Sequence, residues 1–217
     1  MVEVLLREIL ERQGEVRVLD VGGRRKYWAY MSQELHTKVD ITILNLASEQ
    51  TKFSASSDEL RVRFAVGNGC SLPQYDDGEF DLVHSNSVIE HVGSLANMER
   101  FASESRRVGK AYYVQAPHLW FPLEPHFGVP FFQFLPAPTR AQFLNRSKIG
   151  FTQKVEDYAE ALEYIDSIIL PDRAMMKRLF PDGELHRERF LGLTKSLTMT
   201  RSFEDVSSPH LQQVHAA

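Results

Sequence analysis

Five short apolar runs, each stopping at a glycine, asparagine or proline and separated by segments of helical or polar character, leave this chain few folds to choose from. The first, EVRVLDVGG, follows Gly14 and ends in Asp-Val-Gly-Gly, which predicts a buried strand running into a tight turn. KVDITILNL, RVRFAVGNG, FDLVHSN and AYYVQAP come next, the last ending at Pro117. Strands that alternate with helices over this length predict βαβ units and a mostly parallel sheet. The expected fold class is therefore α/β, with helices on both faces.

The intervening periodicity supports this. Val2, Leu5, Leu6, Ile9 and Leu10 fall on one helical stripe, a helix is expected from about Lys26 to Leu35, and Met98, Phe101, Ala102 and Ser105 mark another between Asn97 and Val108. From His118 to Arg140 the rhythm breaks into prolines and aromatics. This insertion, about 118–150, follows a strand's carboxyl end, where open α/β sheets place ligands. Val155, Tyr158, Ala159, Leu162 and Ile165 then make a further stripe, with Thr152 as candidate N-cap. A short helix from about Asp172 to Phe180 stops at Pro-Asp-Gly, and ELHRERFLGL and TKSLTMTR read as two last strands. One domain is expected over 1–201, with a polar tail over 202–217.

A length of 217 residues with 43% hydrophobic and 25% charged side chains suits one large domain and argues against disorder. The formal charge of -4 offers no footprint for a long polyanion, so no nucleic-acid partner is expected, although Arg24, Arg25 and Lys26 make a local basic patch. The single cysteine, Cys70, excludes an intramolecular disulfide, and with no cluster of ligand residues in sequence no metal site is expected. A reducing, cytoplasmic setting follows. The N-terminus carries charges inside its apolar stretch, unlike a signal peptide, and no apolar run approaches the roughly 20 residues that span a bilayer.

The chemistry starts at Asp20, Gly22 and Gly23, because a strand that turns sharply through glycines lets backbone amides approach a ligand with no Cβ in the way. Alone, such a turn is equally an ordinary strand-to-helix connection. The series VLDVGG, ITILNL, FAVGNGCSLPQYDDGEFDLVHSNSVIEHVGS and YYVQAP resembles the class I S-adenosylmethionine-dependent methyltransferases, especially the broad group acting on small molecules. The resemblance covers Val16 to Pro117 well and the C-terminal strand pair more loosely. It is most specific from Gly67 to Val92, where Gly67, Asn68, Leu72, Pro73, Phe80, Asp81, Glu90 and His91 occupy the family's characteristic positions.

What the resemblance implies is a Rossmann-like sheet, mostly parallel with an antiparallel C-terminal strand, and S-adenosylmethionine as cofactor. It implies that the turn from Asp20 through Gly22 and Gly23 faces the methionine part and that Asn45 meets the ribose hydroxyls. Asn68, Gly69 and Cys70 would meet the adenine, and Ser85 and Asn86 would line the methionyl side. Hydroxyls and an exocyclic amine are donors, so acceptors must face them. Three positions depart from the pattern: Asn45 and Asn68 replace the usual carboxylates, and Arg24 stands where a further glycine is expected. An asparagine carbonyl still accepts a hydrogen bond, without the charge assistance that makes such bonds roughly twice as strong. Both asparagines also suit plain turn chemistry.

Methyl transfer from a sulfonium needs alignment, and a base when the acceptor is a hydroxyl. The segment PHLWFPLEPHFGVPFFQFLP, which resembles more loosely a Glu-Pro-His element of methyltransferases associated with glycan or secondary-metabolite pathways, offers both. His126 is the preferred base because imidazole titrates near neutrality, with Glu124 orienting it and His91 the second choice. A structural role for His126 stays open. His118, Trp120 and Phe121 are candidate substrate contacts, though aromatics in a long loop equally bury one another. The expected acceptor is a small molecule or a sugar-containing one. A non-catalytic relative of the fold is the first alternative. A dinucleotide-binding oxidoreductase is the second and fits less well, since the first turn lacks G-x-G-x-x-G.

Overall fold

The computed structural model describes residues 1–49 and 60–203. Helix α1 (Val2–Gln13) ends where Gly14 adopts a left-handed conformation, its N–H returning to the Leu10 carbonyl. Strand β1 (Val16–Val21) follows, then two single turns of helix, α2 (Arg25–Trp28) and α3 (Gln33–His36), then β2 (Val39–Asn45) and β3 (Arg61–Val66). Strand β4 (Phe80–Asn86) leads through a 3-10 turn at Ile89–His91 into α4 (Leu95–Val108) and β5 (Gly109–Pro117). The insertion contains the two-residue strands β6 (Leu123–Glu124) and β7 (Val129–Pro130) and helix α5 (Ala137–Arg146). Helices α6 (Tyr158–Asp166) and α7 (Arg173–Leu179) and strands β8 (Glu184–Phe190) and β9 (Leu193–Arg201) complete the described chain.

Seven strands form one sheet in the order β3-β2-β1-β4-β5-β9-β8. The first five run parallel, while β9 pairs antiparallel with both β5 and β8. The sheet is thus mostly parallel with an antiparallel C-terminal strand, as the sequence implied. Helix α1 and the two short turns cover one face through Leu6, Ile9, Trp28 and Leu35 on Val18, Ile41 and Leu82. On the other face α4 and α7 bury Met98, Phe101, Met176 and Leu179 against Val83, Tyr112 and Leu197. The insertion shares a small core with α6, built from Phe127, Phe132, Leu144 and Ile165.

Two local expectations are corrected. The helix expected over Lys26 to Leu35 is broken, because Ser32 takes an extended ψ of 130° and gives its N–H and hydroxyl to the Glu3 carboxylate at 2.9 and 2.8 Å. Thr152 is not an N-cap. Its hydroxyl donates to the His126 carbonyl at 3.1 Å, while Asp157 caps α6 by accepting from the Glu160 N–H at 2.9 Å. Ser94 and Asp172 cap α4 and α7 in the same way. The expected tail falls beyond residue 203, outside the described residues, except for Ser202 and Phe203.

Candidate active site

Parallel strands deliver their carboxyl ends to one edge of the sheet, and there the loops after β1, β2, β3 and β4 enclose a cleft of about 710 Å³. Gly22 and Gly23 form one wall, Asn45 the next, and Asn68, Gly69 and Cys70 the third. Ser87, Val88 and His91 enter from the loop after β4, and Tyr164 of α6 reaches in from beyond the insertion.

The reason for the glycines lies beneath the cleft. Gly22 has φ of 75°, and a Cβ there would stand 2.5 Å from a methyl group of Val88. A Cβ on Gly23 would stand 1.5 Å from Oδ2 of Asp20, whose fully buried carboxylate is folded under the turn. That carboxylate accepts from the indole N–H of Trp28 at 2.6 Å and from His84 Nδ1 at 2.7 Å. Because a carboxylate only accepts, the His84 proton is fixed on Nδ1. Asp20 therefore holds the turn from below and does not line the cleft. Ser85 is also buried, its hydroxyl given to the Val21 carbonyl at 3.1 Å, and Asn86 lines a different cleft.

Of the residues assigned to the cofactor by resemblance, Gly22, Gly23, Asn45, Asn68, Gly69 and Cys70 are brought together around one space. The Asn45 amide donates to the Gly23 carbonyl at 3.1 Å, which ties the end of β2 to the turn after β1. The Asn68 carbonyl accepts from the Cys70 N–H at 2.9 Å, the local turn chemistry that an asparagine between glycines favours. Burial pushes the Cys70 thiol up, so it stays protonated at neutral pH.

At the rim of this cleft the three candidate catalytic groups form a chain. Glu124 is buried, and its two carboxylate oxygens accept from His126 Nδ1 and from the Phe127 N–H, each at 2.7 Å. Glu124 holds the Nδ1 side of the His126 ring, and the ring's Nε2 faces His91 Nε2 at 3.0 Å. The two rings stand perpendicular, 4.6 Å apart. His91, not His126, lines the cleft. Burial, with the charge of His126 adding and Glu124 opposing, lowers His91 to about 4, so it is neutral at physiological pH.

Sequence reasoning missed two groups here. Glu90 stands in the sequence only as one of the family's characteristic positions, yet its side chain is fully buried and neither oxygen has a hydrogen-bond partner outside its own residue among the described residues. Burial pushes it up to about 7, beyond the opposing pull of its own amide and of His126. Ser87, passed over in favour of Ser85 and Asn86, has φ of 56° and lines both this cleft and a second one of about 570 Å³. Positive φ on a serine has no signature in sequence.

The second cleft lies beside the carboxyl ends of β4 and β5 and takes Asn86, Gln115, Glu188, Lys195 and Ser196 into its walls. His118 and Phe121 reach it, and Pro125, next to His126, closes one side. His118 is mostly buried and donates through Nδ1 to the Thr194 carbonyl at 3.3 Å. Burial lowers its basicity. Trp120 is 61% exposed, stacks on Phe134 and lines neither cleft.

Residues 19–111 match the family model described as a methyltransferase domain. None of the curated proteins matches the chain. Among solved structures, a SAM-dependent methyltransferase from Methanosarcina mazei is similar at 15% identity over 87% of this chain and 92% of its own, with a TM-score of 0.51. An O-methyltransferase family protein from Burkholderia thailandensis is 15% identical over 93% of this chain and 55% of its own, with a TM-score of 0.52. A putative Zn-dependent alcohol dehydrogenase from Rhodobacter sphaeroides gives 0.54 at 11% identity, over 91% of this chain and 88% of its own. At such identities the likeness is one of fold, and the sheet is shared across these descriptions.

Proposed function

We propose that this chain is a class I S-adenosylmethionine-dependent methyltransferase, a reading supported by the domain match over residues 19–111 and by its sheet, and that it methylates a hydroxyl of a small polar acceptor, a sugar-containing molecule being the class its surfaces suit best. One observation carries this reading: Glu124, His126 and His91 make a proton path that ends at the rim of the glycine-walled cleft. Bound in that cleft, S-adenosylmethionine supplies a methyl group on a positively charged sulfur. The residues present fit such a group. The Gly22 and Gly23 backbone suits its methionine part, the side-chain carbonyl of Asn45 a ribose diol, and Asn68, Gly69 and Cys70 an adenine edge. Asp20, Ser85 and Asn86 support that wall from behind or beside it.

His126 takes up the acceptor's proton, directly or through His91, and Glu124 stabilises the imidazolium that results. The second cleft, joined to the first at Ser87 and reached by His118 and Phe121, receives the acceptor; Trp120 lies outside it, beside His118 on the α7 side. The side-chain amides of Asn86 and Gln115 and the Glu188, Lys195 and Ser196 cluster put hydrogen-bonding groups among apolar ones on that wall, which suits a polyhydroxylated molecule. The segment 118–150 serves as the acceptor-side wall of a catalytic unit spanning 1–201, and a cytoplasmic setting suits its unpaired thiol. Among the described residues no helix is long and apolar enough to cross a membrane.

General-base assistance contributes about 10² to 10⁴ in rate, so His126→Ala should lower turnover by that order with calorimetric S-adenosylmethionine affinity near wild type. Full turnover with a normal pH profile in that variant would remove His126 from the reaction. No S-adenosylmethionine binding at millimolar ligand would remove the cofactor assignment.

A further inference from the structure

We infer that Glu90, His91 and His126 form a binding site for a divalent first-row transition-metal ion that accepts mixed nitrogen and oxygen ligands, such as Zn²⁺, at the rim of the first cleft. The inference deepens the methyltransferase reading, and it rests on that reading for the ion's role but not for its binding. The ligand atoms of the three side chains lie within 4.8 Å of one another. The two Nε2 atoms face each other at 3.0 Å, and Glu90 Oε1 is 4.0 Å from His91 Nε2. Ligands about 2.0–2.1 Å from a tetrahedral ion stand about 3.3 Å apart, so small side-chain rotations bring all three onto one centre.

A hydrogen bond between the imidazoles explains their approach, but it leaves Glu90 unexplained. Buried polar side chains are nearly always paired, and a carboxyl whose oxygens find no partner outside their own residue among the described residues is an exception that asks for a cause. A cation between Glu90 and the imidazoles accounts for all three groups at once. The support is also in place. Glu124 holds Nδ1 of His126, the arrangement that fixes the orientation of a ligating imidazole. The Glu90–His91 turn is pinned by its own backbone, with the His91 N–H given to the Val88 carbonyl and the Glu90 carbonyl accepting from the Ile169 N–H, both at 2.8 Å. Two nitrogens and one oxygen disfavour Mg²⁺ and Ca²⁺, which take oxygen ligands.

Three protein ligands leave a coordination position open, at a site where His91 lines the cleft. An acceptor hydroxyl bound there would release its proton to solvent more readily. Its oxygen would then bond to the methyl carbon while the carbon–sulfur bond breaks and leaves its electron pair on sulfur. In that state the imidazoles act as ligands and the ion supplies the acidity that His126 would otherwise assist.

The test titrates chelator-treated protein with Co²⁺ and then Zn²⁺, reading visible ligand-field absorption and calorimetric heat, with S-adenosylmethionine binding measured on the same preparation. One Co²⁺ per chain is expected, displaced by Zn²⁺, with affinity reduced at least tenfold in Glu90→Gln and in His91→Ala. His91 is half exposed, so its variant carries the test even if Glu90→Gln fails to fold. Absence of the Co²⁺ bands in the wild type, or bands of unchanged affinity in a folded variant, overturns the inference. Intact S-adenosylmethionine binding in that sample leaves the methyltransferase reading standing. Co²⁺ bands with no S-adenosylmethionine binding sink that reading and leave the metal site.

Discussion

Two adjacent glycines at the end of β1 are glycines for different reasons. Gly23 has no space above the Asp20 carboxylate, whereas Gly22 combines a left-handed backbone with a methyl contact from Val88. These two costs can be separated. Left-handed φ costs a non-glycine residue about 1–2 kcal/mol, and an overpacked contact costs about 1–3 kcal/mol more. Gly22→Ala should therefore destabilise by roughly 2–5 kcal/mol in urea unfolding, and by only the backbone part when Val88→Ala is present. Strict additivity of the two substitutions would show that the added methyl does not meet Val88.

Elements were more legible than the contacts between them. The five parallel strands and the antiparallel return were readable because apolar runs of strand length, closed by turn residues, are a local signal. The α2–α3 break was not, since it depends on Glu3 of α1 reaching Ser32 from 29 residues away. The same reason hid the site's wiring. Asp20 looked like a ligand group from its place in the turn, yet Trp28 and His84 draw it inward, and nothing in the spacing of Glu90 and His91 shows that His126 meets them. What sequence carried for the site was its order along the chain. Which atoms face inward was set by tertiary packing.

The C-terminal strand is locked by one such distant contact. Asp182, just before β8, accepts from Arg106 of α4 at 2.8 Å and from Arg201 of β9 at 2.7 Å, and takes the Tyr112 hydroxyl at 3.0 Å. Burial alone would raise this carboxyl, but the hydrogen bond and charge of Arg201, with Arg106 and Tyr112, outweigh it and hold it below its ordinary range. A depressed folded value means that the stabilisation is complete above the unfolded value of 3.8 and is lost as pH falls through the folded one. Asp182→Asn should thus cost about 2 kcal/mol at neutral pH, by analogy with other charge-assisted bonds. The gap between wild type and variant should narrow below about pH 4. A gap independent of pH would mean that shape and not charge holds β9 in place.

At the scale of the whole molecule, the first cleft draws walls from residue 21 to residue 164, from four strand ends, α4 and α6. A ligand seated there touches segments that separate only when the sheet itself comes apart, so its binding energy should appear in global unfolding and not merely in local ordering. Linkage gives the size: ligand at 100 times its dissociation constant adds about 2.7 kcal/mol to the folded state. For a chain of this length each kcal/mol moves the melting temperature by about 2–4 °C, so S-adenosylmethionine or its demethylated product should raise Tm by about 5–10 °C. The shift should grow with the logarithm of ligand concentration. A calorimetrically measured affinity with no accompanying Tm shift would place the ligand on a segment that opens before the sheet does, away from this cleft.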